Sequence, residues 1–186
     1  MIGWIIGGLV VLIIIIFIAY YNRFATLGNR IDNSLAQIDV QLKKRADLVP
    51  NLMETVKGYA KYEKSVLTAV TSARTAFLKA TDMPSKVKAG DKLQSALKTI
   101  FAVSENYPNL RANENFLHLQ QELSAIEDKV AYARQYYNDS IMDYNNSSRT
   151  FPGKLFFNMF GFKEKPYLEI AASERVVPKV NFSELD

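Results

Sequence analysis

From Ile2 to Ala19 the chain reads IGWIIGGLVVLIIIIFIA, without a charged residue, and Tyr20 and Tyr21 extend the run towards Arg23. Inside a bilayer every backbone amide and carbonyl must find its partner within the protein. A single run of this kind therefore has one solution, an α-helix. At 1.5 Å per residue, about 20 residues cross the roughly 30 Å hydrocarbon core. Trp4 near one end and Tyr20 and Tyr21 at the other carry the rings that settle at membrane interfaces, and these three are the expected anchor residues. A cleaved signal peptide would show a basic stretch before the apolar run and small residues at a cleavage site. Here only Met1 precedes the run, and Ala19-Tyr20-Tyr21 flanks it. Gly3 and Gly7 have the spacing of a helix-contact motif, although glycine is common in spanning helices generally. No basic side chain precedes the span, whereas Arg23 and Arg30 follow it closely. That asymmetry predicts a single-pass protein of the cell membrane, N-terminus outside and the rest of the chain cytoplasmic.

Beyond the span, apolar residues recur at alternating gaps of four and three: Ile31, Leu35, Ile38, Leu42, Val49, Leu52, Val56, Tyr59, Val66, Val70, Ala73 and Phe77. Such spacing draws one apolar stripe along a helix, and the stripe needs facing helices to cover it. Arg45 and Glu63 interrupt it. Pro50 lacks an amide donor and disfavours helix at Val49, so the expected first soluble helix ends near Asp47 and the chain reverses there. The alternative is one long helix kinked at Pro50, since the register passes through it without a phase shift. A second helix is expected from Pro50 to about Ala80, ended by the breaker cluster Thr81–Ser85. A third runs from about Lys86 to Glu105, with Leu93, Ala96, Leu97, Ile100 and Val103 inward. The fourth carries Phe116, Leu119, Leu123, Ile126, Val130, Ala133, Tyr137, Ile141, Tyr144 and Ser148 in register before Pro152-Gly153 closes it. The fold class expected is all-α: an N-terminal transmembrane helix followed by an antiparallel four-helix bundle. The corresponding division is an anchor at 1–21, a bundle at 22–151 and a C-terminal segment at 152–186.

Chemistry is sparsely provided. There is no cysteine, which removes disulfides, thiol catalysis, a lipoprotein anchor and Cys-ligated metal, and His118 is the one histidine. No glutamate is followed by histidine three residues on, so the paired motif of di-metal bundles is missing. The glycines are scattered rather than gathered into a phosphate loop. The expectation is a protein that is not an enzyme and carries neither cofactor nor metal. A net charge of +4 is compatible with anionic lipid but small for nucleic acid. The run Lys43-Lys44-Arg45 has no interleaved aromatics, so no nucleic acid is expected there; it reads as a solvated helix end. Asp39, Asp47, Asn51, Asn138 and Asn145 read as structural polar residues. Arg45 and Arg134 are expected to pair with carboxylates across the bundle.

Two stretches carry a family resemblance. The first is IDVQLKKRADLVPNLMETVKGYAKYEK, from Ile38 to Lys64. The second begins at Phe116 and holds Tyr132-Ala133-Arg134 with Asn138, then Tyr144-Asn145, Phe151-Pro152 and Gly161-Phe162. Together they resemble the LemA family of membrane-anchored helical proteins of bacteria and archaea. The resemblance implies a four-helix bundle behind one membrane helix and brings no established reaction. Some family members are magnetosome membrane proteins tied to shaping an internal membrane.

The segment FPGKLFFNMFGFKEKPY places Phe156, Phe157, Phe160 and Phe162 among Lys154, Lys163 and Lys165. Large apolar groups beside cations suit a membrane interface or a protein partner. The plainer reading is a flap that caps the bundle core. With a reversal at Pro50, the fourth helix returns to the bilayer and sets these rings beside the anchor; with a kinked long helix they end far from it. The last twenty residues read as extended or disordered. The expected function is non-enzymatic assembly, with itself or another membrane protein, to organise or remodel a bilayer. The alternative is an adaptor in envelope stress or membrane protein quality control that binds a peptide or protease. The partners expected are the lipid bilayer, further copies of the chain and a membrane protein.

Overall fold

The computed structural model describes residues 1–59 and 63–168. Among them are helices α1 (Ile2–Lys57), α2 (Lys64–Lys79), α3 (Met83–Ser104), α4 (Pro108–Arg111), α5 (Glu114–Arg149) and α6 (Gly153–Met159), and no strand. The tail expected to be extended falls largely in 169–186, outside the described residues.

The span and the first bundle helix are one element. α1 has 56 residues, about 84 Å of continuous helix. Its first part is exposed apolar surface, and burial begins at Phe24. An 18-residue window of mean hydropathy 3.0 in α1, none of it buried, makes it the one described helix apolar enough to span a bilayer.

The reversal expected at Pro50 does not occur: Pro50 lies inside α1, and the turn comes after Lys57, before α2 begins at Lys64. The alternative holds at Pro50, through which the helix passes, but that helix ends at Lys57 and does not run on into α2. The physical reason is visible at the carbonyl that Pro50 leaves without a helical partner. Proline at 50 cannot donate to the Ala46 carbonyl one turn earlier. The Arg74 guanidinium of α2 donates to it instead, Nε to O, at 2.9 Å. The proline ring itself faces solvent, while Val49 and Leu52 on either side are buried. Glu63, the second break in the apolar register, is the residue before α2.

Cross-links give the helix directions. Tyr59 meets Asn113 while Arg30 meets Asp143, so α1 and α5 are antiparallel. Asp39 meets Lys86 and Arg45 meets Gly90, so α3 runs with α1. Phe101 packs on Phe116 and Arg134 on Asp91, so α5 returns along α3. The four directions are therefore out, back, out, back. The breaker cluster at 81–85 turns out to be a cap: Asp82 accepts from the Ser85 amide, with Pro84 in the first turn. Asn113 caps α5 likewise, accepting from Phe116 N.

Length divides the bundle. α5 has 36 residues, about 54 Å, whereas α2 and α3 have 16 and 22, about 24 and 33 Å. The α2–α3 hairpin therefore covers only the distal part of the α1–α5 pair. There Leu42, Leu52, Leu93, Leu97 and Phe116 form a core at 1% exposure or less. Nearer the membrane, α1 and α5 form a two-helix stem around Phe24, Ile31, Ile141 and Tyr144. Ser34 and Ser148 are buried in that stem, each hydroxyl donating to a carbonyl three residues earlier in its own helix.

Candidate membrane-interface site

The stem is closed by the segment C-terminal to α5. The Phe151–Pro152 peptide, which is cis, leads into α6 at Gly153. A Cβ at Gly153 would stand 2.1 Å from the Ser147 carbonyl oxygen and 3.6 Å from the Tyr20 ring, so only glycine lets α6 begin here. α6 then lies against the emerging end of the span. Phe156 stacks on Tyr20, with centroids 4.8 Å apart and planes at 13°. Phe160 meets Phe17 edge-on at 4.7 Å and Tyr21 at 5.3 Å. Phe157, 6% exposed, packs on Phe24 and Tyr144, and Phe162 on Phe24 and Phe157. Each aromatic pair of this kind adds about 0.5–1.5 kcal/mol beyond its buried area.

The expected site residues thus divide. Phe156, Phe157, Phe160 and Phe162 spend their rings on the anchor and stem, while Lys154 and Lys163 are exposed. Tyr20 and Tyr21 touch α6; Trp4, 87% exposed, stands far along the span. The outer surface is made by residues that sequence reasoning passed over. Phe151, Leu155 and Met159 recur every fourth residue and are 84%, 58% and 63% exposed. Leu155 and Met159, one turn apart on α6, form an exposed apolar edge beside the face that packs on Phe17 and Tyr20, and Phe151 lies exposed just before α6 begins. The Leu155–Met159 spacing was readable in the sequence, but aromatic content drew attention to the neighbouring face.

Beyond α6, residues 162–168 run back along α5 in extended form. Asn145 donates its side-chain amide to the Lys165 carbonyl and accepts from the Lys165 amide. Asn138 does the same for Leu168. Tyr137 Oη donates to the Pro166 carbonyl at 3.3 Å, and burial raises the Tyr137 phenol. Arg149 grips Glu164 with two nitrogens at 2.9 and 2.7 Å, holding that carboxyl below its ordinary range. Lys165 reaches Asp32 on α1 at 3.5 Å. The two asparagines therefore hold backbone, a role their place in the sequence left open.

Where this strap ends, a cleft of about 390 Å³ opens between α1, α3 and α5, and Leu168 lines it. Of its two arginines, only one pairs as expected. Arg134 pairs with Asp91 across the bundle, as expected. Arg45 is 2% exposed, makes no ion pair among the described residues and reaches only the Gly90 carbonyl, at 3.4 Å. Burial depresses its pKa, partly offset by Glu127. The Nε atoms of both arginines lack partners among the described residues. Lys43-Lys44-Arg45 is consequently not a solvated helix end: α1 continues past it, and the helical turn aims Arg45 inward while both lysines face water. His118 is exposed, 4.0 Å from Glu122.

With the anchor, the bundle and the strap described, the match to known proteins spans most of them, over residues 34–182. The chain belongs to the LemA family. Among LemA-family relatives, "Magnetosome protein MamQ 1" and "Magnetosome protein MamQ 2" of Paramagnetospirillum magneticum are each 24% identical over 189 residues, covering 86% of this chain and 70% of the relative. "Protein LemA" of Metamycoplasma hominis is 24% identical over 137 residues, covering 73% of this chain and 63% of its own length. The LemA match takes in Pro50, Arg74, α6 and the strap, and it leaves out the span. An exposed apolar span on a LemA-family bundle makes this a membrane-associated helical protein.

Proposed function

We propose that this protein is a non-enzymatic, single-pass bundle whose α6 sits in the interfacial layer beside its own anchor, and that copies of it assemble to organise or remodel the bilayer. The observation that carries the reading is the exposed apolar surface of Leu155 and Met159 on α6 and of Phe151 just before it. Beside it are the rings that pack on Phe17, Tyr20 and Tyr21 at the end of the span. Apolar surface left exposed there needs a second medium, and lipid stands next to it. Lys154 and Lys163 are exposed nearby, each adding on the order of 1 kcal/mol against an anionic surface. Arg23 and Arg30 favour the cytoplasmic side for the bundle. A wedge on one side of the anchor loads the membrane asymmetrically, which gives an array of copies a way to bend it. The adaptor reading finds less support, because residues 162–168 of the segment it would use are engaged with α5.

The cysteine-free chain permits a direct test. The full protein, labelled with a polarity-sensitive dye at Leu155→Cys or at exposed Lys92→Cys, is reconstituted in anionic vesicles. Emission from position 155 should shift to shorter wavelength and that from 92 should not. Equal emission from both would end the interfacial reading. Mass measurement in detergent addresses assembly, and a strict monomer at every concentration would remove that half.

A further inference from the structure

A two-helix stem leaves two edges to cover, and α6 with the strap covers one. Phe156 and Phe160 lie on Tyr20 and Phe17, and the strap continues past Asn145 to Asn138. Along the other edge runs a groove of about 690 Å³, lined by Ala19, Arg23, Thr26 and Arg30 on α1 and by Asn146 and Thr150 on α5. Helical spacing makes it. Positions 19, 23, 26 and 30 follow at gaps of four, three and four, which is one face of α1 and a different one from Phe17, Tyr20, Tyr21 and Phe24. Positions 143, 146 and 150 share a face of α5 in the same way, on another side from Asn138 and Asn145. No third described element lines the groove.

Depth and charge decide what fits there. α1 rises about 6 Å from Ala19, at the end of the apolar run, to Arg23, its first charged side chain. The headgroup layer on each face of a bilayer is about 5–8 Å thick. With the span in the hydrocarbon, the groove opens onto acyl chains at Ala19 and carries its first guanidinium at phosphate depth. Asp143, which also lines it, is in contact with Arg30 at 3.4 Å. The charge left over is Arg23, exposed and in no ion pair among the described residues. One uncompensated cation matches a singly charged phosphodiester, and a guanidinium presents its donors in a planar fork that takes two phosphate oxygens. Asn22, Thr26 and Asn146, exposed on the two walls, supply neutral hydrogen-bonding groups for the rest of a headgroup. We propose that this groove binds one phospholipid headgroup, its phosphodiester held by Arg23 and its acyl chains laid along the exposed span. The inference rests on α1 spanning the bilayer and is independent of the placement of α6 and of assembly.

The test titrates the full protein in mild detergent with dioleoyl phosphatidylglycerol and reads the first bound lipid by native mass spectrometry. Arg23→Gln should weaken that first binding about fivefold, the equivalent of roughly 1 kcal/mol for a basic residue at an anionic surface. Thr26→Trp fills the groove without changing charge and should weaken it by a similar factor, whereas Lys92→Gln on α3 should leave it unchanged. All three positions are exposed, so the bundle stays folded, and unchanged helicity by circular dichroism checks this. Full binding by Thr26→Trp, or the same loss from Lys92→Gln as from Arg23→Gln, would overturn the groove in favour of diffuse surface charge. Dioleoylglycerol bound as tightly as the phospholipid would overturn the phosphate assignment. Displacement of the lipid by an equal concentration of glycerophosphoglycerol, the same phosphodiester without acyl chains, would assign the groove to a soluble ligand and overturn the lipid.

Discussion

The passage of α1 through Pro50 rests on one hydrogen bond from another helix, and a double-mutant cycle measures it. Replacing Arg74 by methionine keeps most of the aliphatic stem and removes the donor to the Ala46 carbonyl, now held at 2.9 Å. A hydrogen bond with one charged partner is worth about 1.5–3 kcal/mol. In the natural chain Arg74→Met should therefore cost about 2 kcal/mol. Pro50→Ala restores a backbone amide, which closes the ordinary helical bond to Ala46. In that background the same arginine change should cost well under 1 kcal/mol, a coupling of about 1–2 kcal/mol. The assay is urea unfolding of the detergent-solubilised full protein, followed by far-ultraviolet circular dichroism. For a chain of this size, 2 kcal/mol corresponds to about 4–8 °C in Tm. The same loss from Arg74→Met with proline or alanine at 50 would refute the reasoning.

Gly153→Ala should undock α6, because the added Cβ falls 2.1 Å from the Ser147 carbonyl oxygen; a dye at Leu155→Cys would report it as altered emission, with bundle helicity unchanged. Acid should loosen the strap. The hydrogen bond from Arg149 depresses the Glu164 carboxyl, so its contribution is present above the ordinary carboxylate range near pH 4 and is lost as pH falls through the lower folded value. Protection of the Lys165 amide, with the intrinsic pH dependence of exchange divided out, should fall over that window, and Arg149→Met should abolish that fall. For orientation, Lys92→Cys should resist a membrane-impermeant thiol reagent in intact cells; rapid labelling would place the bundle outside.

Local properties of the chain were sufficient for several elements. The uncharged run at 2–19 forms a helical stretch long and apolar enough to span a bilayer, and the four-three spacing through 31–57 and 116–148 specifies which face of each long helix is buried. The caps at Asp82 and Asn113 also follow from neighbouring residues. The outcome at Pro50 did not, because the donor that replaces its missing amide arrives from Arg74, far along the chain. The same holds for Arg45, whose charge argued for solvent until α3 and α5 closed over it. Asn138 and Asn145 look alike to any local reading, and their function as paired backbone clamps exists only once residues 165 and 168 lie against them. Periodicity and solvent preference act over one or two helical turns and are legible in sequence. Partners for an orphan carbonyl, a buried guanidinium or an asparagine amide come from distant segments, so only the packed helices decided them.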